Sequence, residues 1–161
     1  MLSQAHSKMA FSTSSRLNIL AVDDEAGTRA ALGIVLALAG HHAIFAKDGD
    51  EALEIFQTSN VPFDLIITDH QMARVSGPEL ARQLRERGFA GEIAVLTAYA
   101  GTLDQQEYEK LNVAGVMEKP FDITELTEWI ECIHGCRNHG PDDEKVAAAT
   151  KGIQFCWLKH R

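Results

Sequence analysis

The sequence predicts an α/β protein, a doubly wound, five-stranded parallel sheet with helices on both faces, and three observations predict it. From residue 17 onward, short apolar runs alternate five times with amphipathic segments. The first, third and fourth runs are nearly continuous Ile, Leu, Val and Ala, as strands buried on both faces require, so they belong in the middle of the sheet. The amphipathic segments open on small polar residues and close on Gly or Asn, the chemistry of helix caps. The chain has 161 residues, 45% of them hydrophobic and 24% charged, which suits one globular domain.

The elements follow in order. A strand over 17–22 leads into an apolar helix that Gly40 stops, and the run 42–46 makes an edge strand. Asp48 with Glu51 forms a capping box for the second helix, and the third strand is 65–68. Ser76 with Glu79 opens the third helix, Gly88 ends it, and the fourth strand is 93–96. Thr102 with Gln105 is expected to open the fourth helix, with Asn112 in a left-handed cap after Leu111. After a fifth strand over 114–117, Asp122 and Glu125 open the last helix. There Leu126, Trp129, Ile130 and Ile133 make one apolar stripe, and Phe121 staples onto Leu126. The expected organisation is a flexible leader over 1–16, a (βα)5 domain over 17–134, and a tail over 135–161 too short to fold independently.

Charge narrows the function. The formal net charge is −8, but residues 23–134 hold 20 acids against 8 bases, so the body carries −12. Such a body repels nucleic acid phosphates, and direct DNA binding is disfavoured. The longest apolar run, 30–40, is too short for a bilayer, and the N-terminus lacks the compact apolar stretch of a secretory signal. Three cysteines near one end suit a reducing compartment, and the expected location is the cytoplasm.

In an open α/β sheet, ligands gather beyond the carboxyl ends of the strands. Those ends carry Asp23 and Asp24, then Asp69, Thr97 and Lys119. Carboxylates converging on one rim would repel by roughly 4 kcal/mol per pair at about 4 Å and an effective dielectric near 20, so a cation is needed. Oxygen ligands around an open, hydrated site suit Mg2+. Lys119 adds a point charge for a phosphate oxygen and Thr97 a hydroxyl donor, a set sufficient to move a phosphoryl group onto Asp69.

The segments AVDDE at 21–25, DLIITD at 64–69 followed by Met72 and Gly77, AVLTA at 94–98, and KPF at 119–121 resemble the receiver domain of two-component response regulators. The resemblance covers about 17–134, with the pieces in order and compatibly spaced. It implies a flavodoxin-like strand order 2-1-3-4-5. Asp69 would be the phosphoacceptor, Asp24 would bind Mg2+ directly, Asp23 would help through water, and the Gln71 carbonyl would be a further ligand. Thr97 would be the switch hydroxyl and Lys119 the phosphate-binding lysine, followed by a cis bond to Pro120. The implied partners are a histidine kinase or a histidine phosphotransfer protein, and a downstream protein target. Homodimerisation through the fourth and fifth helical faces is compatible with the pattern, though nothing in the sequence requires it.

Two positions depart from the family. Ala73 stands where proline is usual four residues after the phosphoacceptor, and Val116 stands where a switch aromatic is expected. Tyr99, beyond Thr97 and Ala98, is the candidate to take over part of that modulating role. These departures put the output mechanism in doubt, not the phosphorylation chemistry.

Each residue also has a plainer reading. Asp23, Asp24 and Glu25 alone could be an acidic helix start, Thr97 a strand end, Lys119 a solvated charge, and His70 a solvent-facing loop residue. Cys132, His134, Cys136 and His139 match no zinc spacing well. A haloacid dehalogenase-like phosphatase would need an acid at position 71, where this chain has Gln, and a flavodoxin-like carrier would be repelled by the acids after the first strand. A phosphorylation-independent interaction module and a receiver piece of a larger transcription regulator or hybrid kinase are the alternatives that survive.

Overall fold

Strand β1 (Asn18–Val22) is flanked by β2 (His42–Ala46) on one side and β3 (Leu65–Asp69) on the other; β4 (Glu92–Thr97) and β5 (Gly115–Glu118) follow, all parallel. This order, 2-1-3-4-5, is the one the resemblance implies, with β2 at the edge. The computed structural model describes residues 16–99, 103–138 and 155–156. Most of the leader, residues 1–15, lies outside them.

The strands run slightly further toward the rim than the apolar pattern alone marks, so Asp69 and Thr97 are the last residues of β3 and β4. A sixth strand, β6 (Phe155–Cys156), comes from the tail and pairs antiparallel with β5, setting Cys156 against Gly115 and Phe155 against Val116. Apolar periodicity could not announce it, because a two-residue strand has no period; it satisfies backbone groups that an edge strand otherwise leaves open.

Two apolar clusters sandwich the sheet. One joins it to α1 (Ala26–Leu38) and α5 (Ile123–Asn138), with Leu32, Leu36, Leu126, Trp129 and Ile130 at its centre. The other joins it to α2 (Gly49–Thr58), α3 (Gly77–Glu86) and α4 (Gln105–Lys110). Inward residues alternate along β1: Ile19 and Ala21 face the first cluster, Leu20 and Val22 the second.

The helix ends match the expected caps, with one exception. Asp48 accepts from the Glu51 amide, Ser76 from Glu79, and Asp122 and Glu125 cap each other reciprocally. Gly40, Gly88 and Asn112 all take positive φ. The exception is α4, which Asp104 caps by accepting from the Gln106 amide, in place of the expected Thr102 with Gln105. An aspartate directly before the first helical residue is a strong N-cap; Thr102 lies outside the described residues. Helix α5 continues to Asn138, four residues past the expected domain boundary.

Candidate functional site

The carboxyl ends of β1, β3, β4 and β5 bring Asp23, Asp69, Thr97 and Lys119 to one rim. Asp23 is fully buried, and one of its oxygens accepts from the Glu25 amide at 2.9 Å, fixing the turn into α1. Its backbone carbonyl accepts from the Arg29 guanidinium at 2.7 Å. Asp24 is exposed at the rim.

Lys119 bridges the two inner acids: its Nζ lies 2.6 Å from Asp23 Oδ2 and 2.8 Å from Asp69 Oδ1. In this structure the ammonium neutralises two carboxylates. Burial acts to lower the Lys119 group, but the hydrogen bonds and charges of Asp23 and Asp69 outweigh it and hold the ammonium above the ordinary lysine value. Its backbone is set by the amide donating to the Thr97 carbonyl at 2.7 Å, and the following Lys119–Pro120 bond is cis.

Asp69 is held closely. Oδ2 accepts from the Gln71 amide at 3.1 Å, and the His70 amide donates to the Leu96 carbonyl at 2.8 Å. A Cβ on Gly77 would sit 2.4 Å from the Asp69 carbonyl oxygen, so only glycine lets the start of α3 lie against the end of β3. Burial pushes the Asp69 carboxyl above its ordinary value; Lys119 pulls it down, Asp23 and Asp24 push it up, and the net direction is up. Three carboxylates, of Asp23, Asp24 and Asp69, thus share the rim with the Lys119 ammonium and the Arg29 guanidinium, and the formal balance stays negative.

That donor set fits a hard cation. Among the described residues no three acid, histidine or cysteine side chains make a ready cage. A fully enclosing protein cage is the arrangement of structural zinc; Mg2+ uses one or two carboxylates and keeps several waters.

The other expected positions fall as follows. Thr97 is buried, and its Oγ1 accepts from the Tyr99 amide at 3.1 Å. Ala98 and Tyr99 are exposed, and Val116 is buried in the core beside β4. Gln71 is exposed at the rim. Cys132 is buried on α5, while the side chain of Cys136 and all of His139 lie outside the described residues.

His70 is not the solvent-facing residue the sequence suggests. It is half-buried, and its Nδ1 is hydrogen-bonded to the hydroxyl of Tyr108 on α4, a side chain buried in the core. Sequence reasoning missed Tyr108. The available signal was a lone aromatic residue in the otherwise polar segment QQEYEK, because a buried tyrosine hydroxyl usually finds a partner.

Comparison with known proteins agrees with this fold. The family model described as "Response regulator receiver domain" matches residues 19–131. Response regulator RR06 of Streptococcus pneumoniae is 32% identical over 117 residues, covering 73% of this chain and 52% of that protein. The chain spans little more than half the length of the first curated relatives it matches. Among solved structures, the chemotaxis protein CheY4 of Vibrio cholerae superimposes with a TM-score of 0.69 at 29% identity, covering 74% of this chain and 99% of that one. The response regulator TrrA of Thermotoga maritima, solved in complex with Mg2+ and BeF, gives 0.65 at 32% identity, covering 73% and 98%.

Proposed function

We propose, for a chain that belongs to the response regulator receiver family, that it is a phosphoacceptor switch in two-component signalling and that Asp69 takes the phosphoryl group. The observation that supports this best is the Asp23–Lys119–Asp69 bridge at the strand ends, with Asp24 and Thr97 on the same rim. A carboxylate oxygen of Asp69 attacks phosphorus, the P–N bond of a donor phosphohistidine breaks, and the departing imidazole takes up a proton.

Asp23, Asp24, Asp69 and the Gln71 carbonyl would hold Mg2+, which when bound supplies positive charge for the phosphoryl oxygens. Lys119 is placed to turn from the two carboxylates toward the incoming group, and the Thr97 hydroxyl to donate to it. The same residues would catalyse the chain's own phosphorylation and dephosphorylation, with no external substrate turned over.

The donor is proposed to be a histidine kinase or histidine phosphotransfer protein. Helix α1, which begins beside Asp24, turns Ala30, Ala31, Ile34, Ala37 and Leu38 outward. Ile34 is 60% and Leu38 71% exposed, so α1 offers such a protein an apolar face that runs away from the rim along the helix. Output to a downstream protein is favoured over nucleic acid contact by the acidic body. Among the described residues no helix is long and apolar enough to cross a membrane, and a cytoplasmic setting belongs to the same proposal.

Intact mass after incubation with Mg2+ and acetyl phosphate tests the reading. One phosphoryl adduct is expected, dependent on Mg2+ and lost in Asp69→Asn. A folded chain that gains no adduct would overturn it.

A further inference from the structure

We propose that the hydrogen bond between His70 and Tyr108 is the coupling element through which the state of Asp69 reaches α4. The inference rests on the phosphoacceptor reading and deepens it. Position 116, where the family's switch aromatic would act, holds a buried valine with no polar group to reposition.

Three observations carry it. First, His70 is bonded covalently to Asp69 and cannot drift from it. Its amide donates to Leu96 of β4 at 2.8 Å, and its carbonyl accepts from Gly77 of α3 at 2.9 Å, so its backbone is pinned at both ends. The His70 ring is thus held at a fixed place beside the Asp69 carboxylate, whose Oδ2 also holds the Gln71 amide, and the Asp69 charge acts on it there.

Second, Tyr108 is the anchor of α4. The helix has six residues, and among its described side chains Tyr108 alone is buried, at 1% exposure. The two rings lie 5.9 Å apart between centroids and are tilted by 59°, and the hydroxyl reaches the imidazole Nδ1. The Asp69 charge acts on both rings, so exchanging its carboxylate for an acyl phosphate alters a field they already feel.

Third, there is space for α4 to move. An open groove of about 830 Å³ separates it from α3, lined among others by His70, Met72, Pro78, Arg82, Glu107 and Lys110. A helix packed against its neighbour along its whole length would lack such room.

Tyr108→Phe tests this, since it removes one hydroxyl and keeps the ring that fills the core. Amide hydrogen exchange of residues 105–112 is followed with and without the acetyl phosphate adduct, while intact mass reports the adduct itself. In the wild type, phosphorylation is expected to change α4 exchange by roughly fivefold or more. In Tyr108→Phe, α4 should already exchange roughly fivefold faster, and phosphorylation should add less than about twofold, with adduct formation unchanged. His70→Ala supplies a second variant, and the double variant should be no worse than either single one, as for two halves of one interaction.

A wild-type response surviving in Tyr108→Phe would overturn the proposal, as would an α4 that ignores phosphorylation in the wild type. In both cases the adduct is present and the phosphoacceptor reading stands. A chain that takes up no phosphoryl group would remove the reading and the coupling together, and the mass measurement separates that outcome from the others.

Discussion

Helices α3 and α4 lie on the same face of the sheet and share one apolar cluster, yet they are held in different ways. Helix α3 has ten residues, a serine cap, proline in its first turn, and Leu80, Ala81 and Leu84 all buried. Helix α4 has six residues and rests on Tyr108. Arg85 on α3 grips the end of α4: its guanidinium donates to the carbonyls of Leu111, Asn112, Phe89 and Gly91 and lies 5.5 Å from the Phe89 ring centre. One helix is thus part of the scaffold; the other is tethered to it at one end by Arg85 and in the middle by Tyr108. The contrast teaches that α3 is held by several packed apolar side chains and α4 by one buried ring and a few directed hydrogen bonds, which can be exchanged where a packed apolar face cannot.

The contrast can be tested by loosening each helix in turn. The largest effect is expected from Leu80→Ala, a cavity at a fully buried site, which should cost about 3 kcal/mol or more and lower the urea midpoint with the slope unchanged. Opening confined to α3 would break the scaffold assignment. Arg85→Ala should cost about 2 kcal/mol, because several carbonyls lose a charged donor, and hydrogen exchange should rise more at 105–112 than within α3.

The caps offer a finer comparison. Ser76→Ala is expected to lower global stability by about 1 kcal/mol, whereas Asp104→Ala should speed exchange in α4 and shift the midpoint by about half as much. Equal global effects would mean that α4 is as integral as α3.

The smallest expected effect is a control on the opposite side of the sheet. Burial, then repulsion from His134, lowers the His41 imidazole, and its Nδ1 accepts from the Leu17 amide as only the neutral ring can. The unfolded chain therefore binds the proton more readily; this contribution is complete above about pH 6.5 and is lost as the pH falls toward the folded value. His41→Asn should flatten the pH dependence of stability below about pH 6.5 without altering the difference between α3 and α4.

Much of this was legible in the sequence because it is local. Strand order followed from the resemblance and the edge position of β2 from composition, while the caps at Asp48, Ser76, Asp122, Gly40, Gly88 and Asn112 each involve residues within one turn. The rim residues were legible because strand ends converge in this architecture. What stayed hidden was distant: His70 and Tyr108 are 38 positions apart, Lys119 and Asp23 are 96 apart, and Arg85 reaches 27 residues to Asn112. No periodicity encodes such pairs. The start of α4 was misplaced because a six-residue helix offers too little pattern to choose between neighbouring caps.

The short strand β6 has a consequence for polymer growth. A sheet with two open edges can add copies head to tail, β2 of one against β5 of the next, and such a contact closes no ring and so extends without limit. Here the ladder positions Gly115 and Val116 are already taken by residues of the same chain, and the exposed Glu118 sets a charge at the far end of the strand. Edge pairing through Gly115 and Val116 must first displace β6, so two residues of backbone pairing stand between this edge and end-to-end growth.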